Sequence, residues 1–323
     1  MINIKELCEN ADTIAISGHV RPDGDCIGSA LGLSNYLKKL YPGKRITVYL
    51  IDPNPLFSFL KGFDDIVKVP ASDVNDLFIA LDLSEKQRLG DNYMLFENSK
   101  TSACIDHHVN ETGFTKNDYI EPDCSSTAEL VYGLMEEELI DRDIAQCIYM
   151  GLVHDTGVFQ YSCTHRSTME IAGKLIEYDF DHYKIIEKTF FQKSYIQNQI
   201  LGRALLESIL FMDGKCIVSM IDRKTMEFYG ATSKDLEGIA NQLRYTRGVE
   251  CAIFMYEIGT QEFKISLRSS EKINVATVAK TFGGGGHERA AGLTMAGSFH
   301  DVVNNLSKII EKLYRESEAD AKG

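Results

Sequence analysis

The chain has 323 residues, 44% of them apolar, and a formal net charge of -13. This length and apolar content favour two domains with substantial cores, and the acidity argues against a protein that tracks long nucleic acid through a broad basic field. Eight cysteines with no C-x-x-C pair and no regular spacing read as reduced, mostly buried thiols rather than a disulfide framework.

The N-terminal MINIKELCENADT has no apolar segment behind a basic patch, and no later apolar run approaches 18 residues. The expectation is a cytoplasmic protein with no membrane partner. Short apolar runs alternating with amphipathic segments then predict a parallel α/β sheet. Strands are expected at TIAIS (13–17), RITVYLI (45–51), DIVKV (65–69), LFIALDLS (77–84) and SACID (102–106). Helices are expected from about Cys26 to Leu40 and around 86–98. From Ser125 to about Tyr178 the pattern is helical, and a stretch of roughly 181–208 without a turn cluster reads as a helical connector. Beyond it, ILFMDGKCIVSMID (209–222) and VECAIFMYEIGTQEFKISLRSS (249–270) are β-rich, and helix-like segments follow. The expected fold class is α/β: a parallel-sheet N-terminal domain over 1–185, a connector over 186–208, and a smaller α+β C-terminal domain over 209–323.

Polar groups cluster where this scaffold would bind a ligand. GHVRPDGDCIGSALGL (18–33) places His19, Asp23 and Asp25 directly after the first strand, and ordinary turn and capping chemistry explains only about half of them. Gly24 is expected to let the backbone bend between the two aspartates. Asp82 ends LFIALD, and Asp106, His107 and His108 end SACID. In an open parallel sheet, ligands bind beyond the carboxyl ends of the strands. His154 and Asp155 sit late on an apolar helix, where a charge requires a partner.

Taken singly, an Asp after a strand is usually a cap and a lone His a satisfied surface or core residue. Together, five Asp and at least three His with no neighbouring Lys or Arg cluster would repel one another and not ionise cleanly. A metal resolves this. Carboxylates with a minority of imidazoles, and no thiolate at the right spacing, suit Mn²⁺ or Mg²⁺, with imidazole favouring Mn²⁺. Two ions about 3.5–4 Å apart, bridged by a carboxylate such as Asp82, would activate a water and clamp phosphate oxygens. A separate anion signal is FGGGGHERAAG (282–292), whose successive glycine N–H groups can form a phosphate nest if the following residues open a helix. His287 after the run and Arg268 in SLRSS strengthen it, although a bare glycine run also suits a flexible loop.

HVRPDGDCIGS, LDLS, the DHH of 106–108, HDTG and GGGGHERAAG, in that order, resemble the DHH phosphoesterase family with its DHH-associated C-terminal domain. The likeness runs from about residue 12 to about 297 and is strongest to the nano-RNase and pAp phosphatase branch, which is related to cyclic-dinucleotide phosphodiesterases. The resemblance implies that His19 and Asp23 ligate one metal, Asp25, His107 and Asp155 the other, and that Asp82 bridges them. It implies that Asp106 orients an imidazole, that His108 is the catalytic proton donor facing the scissile phosphate, and that His154 is structural. Arg268, Gly285, Gly286 and His287 resemble the substrate clamp, and Glu288 stands where related sequences vary.

The implied active site lies in the cleft between the domains. The implied reaction is hydrolysis with two Mn²⁺ ions, Mg²⁺ substituting, of short oligoribonucleotides such as pApA or pGpG to mononucleotides, in the manner of a 3′-5′ exonuclease, and of pAp to AMP and phosphate. No long duplex is expected as a partner, and a homodimer is compatible. Alternatives are a cyclic-dinucleotide phosphodiesterase, a manganese inorganic pyrophosphatase-like enzyme, for which GGGGH would not be expected, and a nucleotide-binding sensor, which would need fewer groups than Asp82, Asp155 and His108 supply.

Overall fold

The computed structural model describes residues 4–68, 74–83, 85–108 and 115–320. Val69, at the end of DIVKV, and Ser84, at the end of LFIALDLS, lie outside the described residues. The chain divides into two units, Met1–Gln192 and Lys193–Gly323.

The first unit is built on an all-parallel sheet of β1 (Thr13–Ser17), β2 (Arg45–Tyr49), β3 (Leu77–Leu81), β4 (Thr101–Asp106) and β5 (Asp118–Ile120), in the order β2-β1-β3-β4-β5. Every residue of β3 is buried, as a central strand covered on both faces requires. Around the sheet lie α1 (Ile4–Glu9), α2 (Gly24–Leu40), α3 (Tyr93–Asn98), α4 (Thr127–Gly133), α5 (Arg142–Asp155), α6 (Arg166–Leu175) and α7 (His182–Ile186). On one face Ile14, Ile16, Ile79 and Ile105 pack against Ile27 and Leu31 of α2 and Ile148 and Leu152 of α5. On the other, Ala15, Phe78 and Cys104 meet Leu89 and Leu95. Helices α2 and α5 approach so closely that a Cβ on Gly28 would lie 2.5 Å from the Cys147 carbonyl oxygen.

Three expected elements differ. DIVKV contributes one bridge, Val67 to Tyr49, because Asp65 and Ile66 already donate their N–H groups within turns, to the Gly62 and Phe63 carbonyls. The segment 86–98 is a 3₁₀ stretch (Lys86–Asn92) followed by α3, broken where Gly90 takes a φ of 55°. The stretch 181–208 is α7, a π turn (Glu187–Phe191) and then a new helix, α8 (Tyr195–Leu206), started by a reciprocal cap between Ser194 and Gln197.

The second unit contains α8, α9 (Arg223–Tyr229), α10 (Ile239–Arg244), α11 (Val275–Thr281) and α12 (Phe299–Asp320). Its mixed sheet comprises β6 (Ile209–Phe211), β7 (Cys216–Ile221), β8 (Cys251–Gly259), β9 (Glu262–Ser269), β10 (Gly285–His287) and β11 (Ala290–Ala296), ordered β10-β11-β9-β8-β7-β6. Alternation along β8 serves two faces: Cys251, Ile253 and Met255 join Val278, Val302 and Leu306, while Ala252 and Phe254 join Ile200 of α8 and Ile239 and Leu243 of α10.

The expected helix after the glycine run is not there. Gly285, Gly286 and His287 form β10 of a hairpin, and Ala290–Ala296 continues as β11, paired with β9 along its whole length. Alternating burial at Ala291 and Leu293 suits a strand with one covered face, and that pairing outweighs any tendency to open a helix.

Candidate metal centre

Three parallel strands end at the same edge, and each hands over polar groups. His19 follows β1, Asp82 follows β3 with a left-handed φ of 56°, and β4 ends on Asp106 with His107 and His108 directly after it. Asp82 holds its place through its N–H, which donates to the Ile105 carbonyl at 3.2 Å. Asp23 is the N-cap of α2, its Oδ1 accepting from the N–H groups of Asp25 and Cys26 at 3.1 Å each. Asp155 is the last residue of α5.

Asp82 lies at the middle of the cluster. Its Oδ2 is 3.4 Å from His19 Nε2, and its Oδ1 is 3.7 Å from His107 Nε2 and 3.6 Å from His108 Nδ1. His19 Nε2 also lies 3.7 Å from Asp23 Oδ2, and His107 Nε2 2.9 Å from Asp155 Oδ2. Asp25 is fully buried, its two carboxylate oxygens accepting the Thr127 and Ala128 N–H groups at 2.8 and 3.0 Å, so it closes the start of α4. Asp25, His107 and Asp155 form one group of donors close enough to share an ion, and Asp82, His107 and His108 form another.

The electrostatics call for a cation. Among the described residues, no lysine or arginine pairs with Asp23, Asp25, Asp82 or Asp155. Burial raises the Asp25 pKa well above the usual carboxylate value, and the charges of Asp82 and Asp155 push it further. Burial likewise raises that of Asp155, against the opposing pull of His107. Burial disfavours a charged His19 or His107, yet Asp23 and Asp82 beside the first, and Asp155 beside the second, push each up to about 10. Burial also acts on Asp23, but the His19 contact overrides it and lowers the group to about 2. The carboxylates are thus drawing protons onto the imidazoles, and a divalent ion would replace those protons. His107 Nε2 is buried and lies 2.9 Å from Asp155 Oδ2 without the alignment of a good hydrogen bond, so the nitrogen is left facing carboxylates. Nδ1 of His19 meets the Val20 carbonyl at 2.9 Å, which leaves Nε2 to face the carboxylates, the usual orientation of a ligating imidazole.

His108 differs from the other two imidazoles. Its Nδ1 is 2.7 Å from Asp106 Oδ1, which also accepts the His108 N–H at 3.1 Å, so ring and backbone are fixed by one carboxylate. Burial opposes ionisation of Asp106, but its bonds to His108 prevail and lower its pKa.

Of the residues expected at the site, His19, Asp23, Asp25, Asp82, Asp106, His107, His108 and Asp155 are brought together within the first unit. His154 stands apart: its ring packs edge-on against Phe57, with centroids 5.2 Å apart, and Nε2 meets Thr189 Oγ1 at 2.8 Å. This corrects the reading of Gly24. Its φ is not in the left-handed region, and it is the first residue of α2; a Cβ there would lie 2.2 Å from the His154 ring, so the glycine admits the imidazole rather than a bend.

Sequence reasoning missed two neighbours. Cys26, taken as an ordinary buried thiol, lies within ligand reach of His19 and Asp82. Thr127 donates its N–H to Asp25 and, at 3.3 Å, its hydroxyl to Asp82. The S-x-x-E pattern of Ser126 and Glu129 marks the start of α4 and was the available signal for Thr127.

Residues expected at a phosphate clamp lie in the second unit. Arg268 on β9 stands in register with Ala290 of β11, which in turn faces His287 of β10. The hairpin glycines serve strand approach: a Cβ on Gly286, at φ 145°, would lie 2.5 Å from the Ala290 carbonyl oxygen, whereas one on Gly285 would meet open space. His287 is exposed.

A parallel α/β unit with an acidic and imidazole-rich centre at its strand ends, followed by a separate mixed-sheet unit, defines the class as a two-domain α/β protein with a candidate divalent-metal site. Residues 13–152 match the DHH family, N-terminal domain, and residues 213–316 match the DHHA1 domain; the chain belongs to the DHH family and carries both domains. It is 27% identical over 312 residues to the bifunctional oligoribonuclease and PAP phosphatase NrnA of Bacillus subtilis, covering 95% of this chain and 96% of that one. It is 28% identical over 310 residues to the NrnA of Thermus thermophilus, covering 94% and 90%. The crystal structure of an exopolyphosphatase-related protein from Bacteroides fragilis superposes with a TM-score of 0.89 at 27% identity, covering 98% of this chain and 96% of that chain.

Proposed function

We propose that this chain is a two-metal phosphoesterase that hydrolyses short 5′-phosphorylated oligoribonucleotides, dinucleotides above all, to mononucleotides, with pAp as a second substrate. It is a hydrolase of phosphoester bonds, as its family and relatives imply. The observation that carries the reading is the convergence of carboxylates and imidazoles, with Asp82 3.4, 3.7 and 3.6 Å from His19, His107 and His108, and with Asp25, His107 and Asp155 close enough to share one ion. The names of the B. subtilis and T. thermophilus relatives support the substrate class.

His19 and Asp23 would hold one ion, Asp25, His107 and Asp155 the other, with Asp82 between them. Carboxylate with imidazole favours Mn²⁺, with Mg²⁺ as a substitute. When bound, the ions supply an activated water and neutralise charge on the phosphate oxygens. Thr127 and Ala128 hold Asp25 at a fixed angle through their N–H groups. Asp106 fixes Nδ1 of His108, which orients the ring so that Nε2 can carry a proton to the leaving oxygen. The metal work belongs to the first unit, and the second unit grips the non-reacting phosphate with Arg268, His287 and the backbone at Gly285 and Gly286. A net charge of -13 suits a local phosphate grip better than a long nucleic-acid track.

The test is a product profile with Mn²⁺ on pApA, pGpG, pAp, cyclic dinucleotides, pyrophosphate and a long single-stranded RNA. Mononucleotides released from dinucleotides, faster than any product from the long strand, support the reading. Comparable processive turnover of the long RNA, or turnover of pyrophosphate alone, would overturn it.

A further inference from the structure

Arg268 is bonded by groups from two elements. Its Nε donates to Asn241 Oδ1 at 2.8 Å, and its Nη1 donates to the Leu267 carbonyl at 2.9 Å. Asn241 belongs to α10, a short helix anchored to the sheet by Ile239, Ala240 and Leu243, which pack on Ala252 and Phe254 of β8. Arg268 in turn pairs across the sheet with Ala252 on one side and Ala290 on the other. Small alanines on both flanking strands leave the long side chain room to run along the sheet, and α10 meets it there.

A guanidinium is planar, so a bond to Nε together with one to Nη1 sets the plane in which its remaining N–H groups point. The chemistry of the holding group matters as much as its position. An aspartate at 241 would make a stronger, charge-assisted bond and would compete with an incoming phosphate for the same cation. An asparagine fixes the geometry and adds no negative charge. Arginine loses considerable rotamer freedom when it grips a ligand, and holding it beforehand reduces that cost.

We infer that Asn241 is a positioning residue that presets Arg268 for a phosphate on the substrate; this rests on the proposed function, in which Arg268 grips the 5′-phosphate. The experiment compares Asn241→Leu, Asn241→Asp, Arg268→Ala and the Asn241→Leu/Arg268→Ala double variant on pApA and on ApA, which lacks the 5′-phosphate, with thermal unfolding measured for each.

Asn241→Leu is expected to raise KM for pApA about tenfold, near the 1.4 kcal/mol of one charge-assisted hydrogen bond, with kcat within about twofold and KM for ApA unchanged. Asn241→Asp should keep the melting temperature while also weakening pApA, because the guanidinium is held but its charge is shared. In the Arg268→Ala background, Asn241→Leu should add nothing. Equal effects of Asn241→Leu on pApA and ApA, or full additivity with Arg268→Ala, would overturn the inference and leave Asn241 as packing alone. An Arg268→Ala variant that still prefers pApA over ApA would instead overturn the phosphate-grip reading beneath it, so the two failures are distinguishable.

Discussion

The two units manage charge in opposite ways. In the first, carboxylates and imidazoles from three strand ends and two helices crowd together, with Asp82 3.4, 3.7 and 3.6 Å from three imidazoles; Asp25 and Asp106 are fully buried, and Asp23 is exposed. In the second, Arg268 is bonded by the Asn241 side chain and the Leu267 carbonyl and stands two strands from an exposed histidine on a hairpin. A buried centre of interdependent charges should fail as a whole when one member is lost, whereas a grip of separate contacts should weaken by degrees.

The sharpest way to break the comparison is Asp82→Ala. Metal analysis should show both ions lost and activity at background, because three imidazoles lose their common partner; unchanged metal content would mean that Asp82 does not bridge. Next in size is His108→Ala, expected to lower kcat by roughly 10²–10⁴-fold with metal content intact, as loss of a general acid would. If that variant instead emptied a site, His108 would be a ligand and the division among the imidazoles would fall.

Gly24→Ala is a gentler probe of the same interior. Its methyl group must displace the His154 ring, so a destabilisation of roughly 1–3 kcal/mol is expected from chemical denaturation, together with weaker metal binding. A pH series tests the same ring. Burial holds His154 down at about 4, below the ordinary histidine value of about 6.5. Its contribution to stability is therefore present above pH 6.5 and is lost as pH falls toward 4, because the unfolded chain takes up the proton first. His154→Gln should flatten that part of the melting-temperature profile; an unchanged slope between pH 6.5 and 4.5 would show that other groups carry it.

The smallest effects belong to the hairpin. Gly285→Ala meets open space and should leave stability unchanged, while Gly286→Ala, strained at φ 145° and crowded by Ala290, should lower the melting temperature by a few degrees. Equal behaviour of the two would mean that the glycines act as a flexible run after all.

What was legible in the sequence follows the same division. The strand ends of the first unit could be read because apolar runs such as TIAIS and LFIAL leave little choice of structure, and the acids after them have no other reason to gather. The glycine run misled because its composition suits loop, nest and hairpin alike; pairing of Ala290–Ala296 with β9, a contact remote in sequence, decided the matter. Gly24 misled for a related reason. A glycine between two aspartates looks like turn chemistry, and the ring that requires it is 130 positions away at His154. Cys26 and Thr127 were hidden because an apolar-looking cysteine and a helix-capping threonine announce nothing until the fold sets them beside Asp82.

The close crossing of α2 and α5 extends this vulnerability beyond the ligands. A Cβ on Gly151 would lie 2.7 Å from Asp25 Oδ1 and 2.5 Å from the Ala128 side chain, in the same seam where Gly28 meets Cys147. A random-mutagenesis screen for inactive clones should therefore recover glycine substitutions along this seam as readily as changes to histidine or aspartate. Those clones would look like cofactor-deficient mutants although no donor atom had been altered, and a second-site change that thins the facing helix should restore them.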